Sequence, residues 1–130
     1  MTSADRPTRR TLVVKCTAGA GSTDSAERCA QAFNVAATAL ASGVQVSLWL
    51  TGEASWFGVP GRAEDFSLPH SAPLADLRDT VLEFGTLTVC TQCAQRRGIT
   101  EVDLIPGVRI SGSTTFVDEI LQPDAQAIVY

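Results

Sequence analysis

The sequence predicts an α/β fold, a three-layer α/β/α domain doubly wound around a mainly parallel five-stranded sheet. Apolar, strand-like segments alternate with helical segments along the chain, and this alternation favours a parallel sheet with helices on both faces. A chain of 130 residues is long enough to bury a core as one domain. We expect a flexible polar tail over residues 1–10 and a single domain over residues 11–130.

The first strand and helix are predicted from residues 12–43. Residues 12–16 form an apolar run typical of a buried strand, and a loop of small residues follows it. Asp24 and Glu27 have the spacing of a capping box, which predicts a helix from Ser25 onward. The helix is rich in alanine and ends at Gly43, a residue suited to the position just after a helix.

The remaining elements follow from the same patterns. Residues 44–50 alternate between valine or leucine on one face and Gln45, Ser47 and Trp49 on the other, which predicts a strand. Residues 51–73 contain many glycines and prolines, and irregular segments of this length are usually functional or mobile. Further helices are predicted over residues 74–84, 91–97 and 113–121, and further strands over residues 86–89, 107–111 and 125–130.

Composition excludes several classes of function. The net charge of −4 and the pI near 4.8 argue against nucleic acid or an anionic membrane as a partner. No apolar run has the length of a membrane span or of a signal peptide, so we expect a cytoplasmic protein with reduced thiols. Cys16 lies in the first strand and Cys29 in the first helix, and both are interpreted as packed core thiols.

The clearest functional signal is Cys90-x-x-Cys93, where a predicted strand ends and a basic helix begins. Backbone amides at such a point favour an anion, so the Cys90 thiol is expected to ionise, and thiolates attack sulfur. Cys93 lies on the same helical face and is a candidate resolving thiol. Arg96 or Arg97 is predicted to stabilise the thiolate.

Two other interpretations of the cysteines were weighed. The pair is also consistent with two inert, partly buried thiols, since reactivity needs access as well as ionisation. A structural zinc site needs four ligands, and no second Cys-x-x-Cys is present, so no metal is expected.

The loops supply weaker candidates for a pocket, namely Gly19, Gly21, Ser22 and Trp56. The glycine loop stands between strand and helix, like a phosphate-binding turn, but Asp24 replaces the third glycine of that fingerprint, and a tight turn is favoured. Trp56 suggests a lid or an oligomer contact. The nearby acidic residues are interpreted as solvated loop charges; they are Glu53, Glu64 and Asp65.

Several segments together resemble the DsrE/DsrF-like family, which includes the TusD-type subunits of sulfur relays. The most specific is the segment from Cys90 through Arg96-Arg97-Gly98. The opening strand, loop and alanine-rich helix are also similar, as is the ending from Gly107 to Tyr130. The resemblance covers roughly residues 12–130.

The resemblance implies that Cys90 carries sulfur as a persulfide, which it receives from a donor protein and passes to an acceptor protein. It also implies assembly into homo- or hetero-oligomers, often trimers or hexamers, and no organic cofactor. Cys93 departs from the simplest family pattern, because a second thiol can attack a Cys90 persulfide and release sulfide. The alternative function is a non-catalytic oligomeric module for small-molecule binding or interaction, in which both thiols only pack.

Overall fold

A computed structural model describes residues 10–130. The predicted N-terminal tail therefore lies outside the described residues, apart from Arg10. Five strands alternate with four α-helices, and two short 3₁₀ helices lie in the connections. In chain order the elements are β1 (Thr11–Cys16), α1 (Thr23–Ala41), β2 (Gln45–Leu50), the 3₁₀ helix Gly52–Gly58, α2 (Leu74–Phe84), β3 (Thr86–Cys90), α3 (Thr91–Arg96), the 3₁₀ helix Glu101–Asp103, β4 (Arg109–Ser111), α4 (Ser113–Ile120) and β5 (Ala125–Val129).

The five strands form one parallel sheet with the order β4-β3-β2-β1-β5. The chain starts near the middle, runs to one edge through β4 and returns to the other edge with β5, as expected for a doubly wound fold. The predicted fold class is confirmed.

The helices α1 and α2 cover one face of the sheet and enclose the main core. Phe33 of α1 and Val81 of α2 are fully buried there against Leu48 and Val89 of the sheet. The start of α1 differs from the prediction: Ser22, not Asp24, is the cap, and its hydroxyl oxygen accepts a hydrogen bond from the Ser25 amide at 3.1 Å. A serine hydroxyl placed before the first helical turn satisfies one of its free amides, as Asp24 was expected to do.

The other face of the sheet is covered by α4 alone among the described helices, and polar contacts hold that helix in place. Glu119 of α4 accepts hydrogen bonds from Ser47 at 2.5 Å and from the Trp49 indole at 3.0 Å, and it pairs with Arg109 at 2.7 Å. Burial raises the pKa of Glu119, but these three partners outweigh it and lower the pKa overall. Ser47 and Trp49, on the face of β2 that also carries Gln45, are thus buried, because α4 provides partners for their polar groups.

The long connection after β2 is anchored by a buried ion pair. Arg78 of α2 is 4% exposed and binds Glu64 through two hydrogen bonds of 2.7 and 3.0 Å. Asp79 contacts the same guanidinium at 3.0 Å. The interpretation of Glu64 as a solvated loop charge was therefore wrong: one side of its carboxylate meets a buried cation that needs a partner. Within residues 10–130, none of the helices combines the length and apolar character needed to cross a membrane.

The Glu64–Arg78 pair predicts a specific loss of stability in acid. The hydrogen bonds from Arg78 lower the pKa of Glu64 from 4.5 to about 2. A carboxyl group whose pKa is lowered by folding stabilises the folded state at pH values above its unfolded-state pKa. This stabilisation is lost as the pH falls from about 5 towards 2. We expect Glu64→Gln to lower the free energy of unfolding at pH 7 by about 1–2 kcal/mol, a value discounted for the half-exposed carboxylate.

The measurement is urea unfolding at pH 7 and pH 3, with Asp65→Asn as the matched control because the Asp65 side chain is exposed and forms no ion pair in the described part of the chain. The wild type and Glu64→Gln should differ less at pH 3 than at pH 7. An equal difference at both pH values would contradict this role for Glu64.

Candidate functional site

The parallel sheet brings the ends of four strands to one side of the molecule. Thr17 follows β1, Gly52 lies just after β2, Cys90 ends β3 and Gly112 follows β4. In parallel α/β folds, sites form beyond these carboxyl ends. Cys90 and Cys93, with the amides of Gly52 and Gln92 that face them, make up what we call the dithiol site.

Cys90 is the last residue of β3 and stands directly before α3. Cys90 is partly exposed, and the amides of Gln92 and Cys93 face its sulfur without closing a formal capping hydrogen bond. Burial raises the pKa of Cys90, but these amides, the Cys93 thiol and the positive charge of Lys15 together lower it. The pKa of Cys90 thus moves in the direction expected from the sequence, and the catalytic role of Cys90 stays a prediction.

Cys93 is held by the backbone of the residue that follows β2. The Gly52 amide donates a hydrogen bond to Cys93 Sγ at 3.3 Å. Gly52 has a φ of +54°, and a Cβ atom there would lie 2.9 Å from the Thr17 carbonyl oxygen. Only glycine fits this turn without strain, because the backbone is left-handed and the neighbouring carbonyl leaves no space. Gly52 was not among the predicted site residues.

The structure gives Arg97 partners other than the thiolate. One guanidinium nitrogen donates to the Cys93 carbonyl oxygen at 3.1 Å, and another pairs with Glu53 at 3.3 Å. Glu53 is exposed, as expected of a solvated loop charge, but it also forms this ion pair. Arg96 is exposed, and within residues 10–130 neither arginine is hydrogen-bonded to a cysteine sulfur. The cation whose charge lowers the pKa of Cys90 is Lys15, so the stabilising role proposed for the arginines stays a prediction.

The loop residues predicted for a pocket lie beside this arrangement. Gly19 allows a close approach of Glu53, since a Cβ atom at Gly19 would lie 2.8 Å from Glu53 Cβ. Gly21 and Trp56 line a cavity of about 340 Å³, and the Arg62 guanidinium lies 4.3 Å from the centre of the Trp56 ring. Ser22 caps α1. Through Glu53 and Arg97, the glycine loop and the cavity are connected to the dithiol site.

The other two cysteines lie in the core. Cys16 and Cys29 are both fully buried, and Cys16 Sγ donates to the Ala18 carbonyl oxygen at 3.5 Å. Hydrogen bonding with Cys16 and burial both raise the pKa of Cys29, which keeps it a neutral thiol. Among residues 10–130, no three histidine, cysteine or acidic side chains are grouped so that they could hold a metal ion.

Comparison with known proteins agrees with the fold. The model of the DsrE/DsrF-like family matches residues 17–128, which include the glycine loop and the dithiol site. The chain belongs to the DsrE/DsrF-like family. The resemblance predicted from the sequence is therefore confirmed.

Two curated relatives of this DsrE/DsrF-like chain come from archaea. The uncharacterized protein MJ0760 of Methanocaldococcus jannaschii is 27% identical over 107 residues, which are 82% of this chain and 39% of MJ0760. The uncharacterized protein MK0008 of Methanopyrus kandleri is 28% identical over 98 residues, which are 75% of this chain and 78% of MK0008. The chain thus spans well under half the length of MJ0760.

Solved structures support the DsrE/DsrF-like fold. The crystal structure of YchN from E. coli superposes with a TM-score of 0.73 at 19% identity, covering 94% of this chain and 99% of YchN. MTH1491 from Methanobacterium thermoautotrophicum, a protein of unknown function, gives a TM-score of 0.61 at 13% identity, with coverage of 93% and 99%. At these identities the likeness shows the fold alone.

The Gly52 turn predicts different effects of two glycine substitutions. Gly52 and Gly61 both have positive φ, but a Cβ atom at Gly61 would meet nothing within 4 Å. We expect Gly61→Ala to cost about 1 kcal/mol of stability for the left-handed backbone alone. Gly52→Ala should cost more, about 2–3 kcal/mol, because it also forces the Thr17 carbonyl and the new methyl group apart.

Thermal unfolding measures the stability difference, and the alkylation rate of Cys93 reports the site. Gly52→Ala should change that rate because the Gly52 amide moves away from the sulfur, whereas Gly61→Ala should not. Equal behaviour of the two variants would show that the Gly52 turn does not hold Cys93.

Proposed function

We propose that the protein is a sulfur carrier of the sulfurtransferase type, with Cys90 as the residue that holds the transferred sulfur. The Cys90 thiolate attacks the outer sulfur of a donor persulfide, R–S–SH. The S–S bond of the donor breaks, R–S⁻ leaves, and Cys90 becomes the persulfide. An acceptor thiolate then attacks the same outer sulfur, and the Cys90 thiolate leaves. No external oxidant or reductant is needed, because the sulfur keeps its oxidation level throughout.

The observation that carries this proposal is the environment of Cys90. Cys90 is partly exposed at the carboxyl end of the sheet, and amides, a neighbouring thiol and a cation lower its pKa. Attack on sulfur requires the thiolate together with access, and both the lowered pKa and the partial exposure of Cys90 support this role. Cys16 and Cys29 provide the contrast within the same chain, since both are fully buried.

Cys93 supports a second, dithiol step at the same site. Its thiol hydrogen-bonds to Cys90, which places the two sulfurs next to each other. If Cys93 attacks the inner sulfur of the Cys90 persulfide, HS⁻ leaves and a Cys90–Cys93 disulfide forms. The outer sulfur is then reduced to sulfide and the Cys93 sulfur is oxidised, while the Cys90 sulfur keeps the oxidation level that it had in the persulfide. A thiol reductant must restore the dithiol before the next cycle.

Persulfide loading tests both steps. After anaerobic incubation with a low-molecular-weight persulfide, mass spectrometry should find an addition of about 32 Da, one sulfur atom, on Cys90. Cys93→Ser should retain the addition longer and release less sulfide, because the resolving thiol is gone. Cys90→Ser should lose the addition altogether.

Cys29→Ser is the control, since a buried core thiol has no part in loading. Absence of the addition on Cys90, or loading that survives Cys90→Ser, would contradict the carrier function. Those outcomes would favour the non-catalytic module, in which both thiols only pack. Equal sulfide release by the wild type and Cys93→Ser would remove the dithiol step while leaving sulfur carriage intact.

The carrier function also needs partners, and we propose a sulfur-donor protein, an acceptor protein and other copies of this chain. Self-association is supported by apolar side chains left exposed at the end of α4 and on β5: Leu121, the residue after α4, is 74% exposed and Val129 is 63% exposed. β5 is an edge strand, and such an edge is usually covered or charged to prevent pairing. We also propose a cytoplasmic location, because all four cysteines are free thiols, as is usual in a reducing compartment.

Light scattering tests the assembly. We expect a trimer or hexamer at micromolar concentration, and Leu121→Glu combined with Val129→Glu should shift the protein towards a monomer by placing charge on the apolar surface. Val102→Glu is the matched control, because Val102 is 92% exposed but lies in the connection from β3 to β4, near the opposite edge of the sheet. A strict monomer, or dissociation by Val102→Glu alone, would contradict assembly through α4 and β5.

A further inference from the structure

Lys15 is the only lysine in the chain, and it occupies an unusual position. It lies within β1, which is paired on both sides with β2 and β5, and its neighbours Val14 and Cys16 are buried. A charged side chain in such a strand costs free energy unless a partner or an exit to water compensates it. The position therefore calls for a physical reason.

The side chain of Lys15 points to the α4 face of the sheet. Its ammonium group lies 4.2 Å from the centre of the Phe116 ring of α4, and that ring packs edge-on against Trp49 at 5.3 Å. In the register of the sheet, Lys15 pairs with Trp49, and Trp49 pairs with Thr88. Because side chains alternate along a strand, Cys90 projects from the same face as Thr88. Lys15 and Cys90 thus share one face, with a single strand between theirs.

Lys15 has no carboxylate partner among residues 10–130; Arg97 and Arg109 are paired, and the exposed Arg96 of α3 is not paired in this part of the chain. Arg97 pairs with Glu53 on the far side of Cys93. Arg109 pairs with Glu119 beneath α4. These paired charges largely cancel at a distance, so the ammonium of Lys15 is the net positive charge that faces Cys90 from the sheet.

We infer that Lys15 is the fixed counter-cation of the Cys90 sulfur anion, and that its charge holds Cys90 ready for attack. Lys15 is a positioning residue here, because it acts on the transferred sulfur only through its charge on Cys90. For the anionic persulfide of Cys90, the inference rests on the proposed carrier function. The effect of Lys15 on the Cys90 thiolate does not depend on that function. The lowered pKa of Cys90 agrees with this assignment.

The charged and titratable groups around Cys90 define the experiment. They are Lys15 from β1, Cys93 and the exposed Arg96 from α3, the Arg97–Glu53 pair next to Cys93, and the Arg109–Glu119 pair under α4. The rate of alkylation of Cys90 is measured against pH in a Cys93→Ser background, so that one thiol of the dithiol site titrates. Peptide mapping separates Cys90 from the buried cysteines.

Lys15→Met should move the midpoint of this profile to higher pH and slow alkylation at pH 7 about three- to tenfold, which is the expected effect of one nearby charge. The rates should converge at high pH, where the thiol is ionised in both proteins. Lys15→Arg keeps the charge and should stay close to the Lys15 background. Arg28→Met is the matched control, because it removes one positive charge from an exposed position on α1.

An unshifted midpoint in Lys15→Met, or an equal shift in Arg28→Met, would overturn the inference. A shift in Arg96→Met in place of Lys15→Met would assign the role to the helix arginine predicted from the sequence and would also overturn it. Lys15→Gln is measured in parallel, and loss of folding in both neutral variants would assign Lys15 a structural role instead. The proposed carrier function fails by a separate result, the absence of sulfur on Cys90, so the two failures are distinguishable.

Discussion

The turn at Gly52 is the constraint on which the dithiol site depends. The chain leaves β2 with a left-handed residue pressed against the Thr17 carbonyl, and this geometry directs the Gly52 amide at Cys93 Sγ. The same turn starts the 3₁₀ helix that carries Glu53 to Arg97. A single backbone conformation therefore connects the ends of β1 and β2 to α3. Without it, Cys93 would have neither its amide partner nor the ion pair behind its carbonyl oxygen.

The hydrogen bonds around the two sulfurs make them chemically unequal. Cys93 accepts from the Gly52 amide, and its own thiol hydrogen-bonds to Cys90. Cys90 receives this bond together with two amide dipoles and the charge of Lys15, so its anion is favoured. A Cys-x-x-Cys spacing by itself does not specify which thiol ionises. Here the surroundings favour the anion of Cys90, which agrees with its proposed role as the nucleophile.

The fold was predictable because its signals are local. The strands can be predicted from their own apolar patterns. Gly43 and Gly98 follow α1 and α3 with positive φ, as is common just after a helix. Contacts between distant segments were not predictable in this way. The partner of Glu64 lies 14 residues away, and Glu119 reaches back 70 residues to Trp49. Lys15 gave one usable signal, a lone charge in an apolar strand, but its relation to Cys90 depends on the order of the strands in the sheet.

The two helical layers bury different amounts of apolar surface, and this difference relates the proposed chemistry to the proposed assembly. α1 and α2 bury a large apolar core, whereas α4 has no fully buried residue and leaves apolar side chains such as Leu121 facing outward. The inner side of this thin layer holds the Phe116 ring under which Lys15 lies. If a second copy covers the outer side of α4, water is excluded from the same region, and the attraction between Lys15 and the Cys90 anion becomes stronger as the local dielectric falls. Assembly through α4 and β5 would then increase the thiolate character of Cys90, so the proposed oligomer and the proposed sulfur chemistry would reinforce each other.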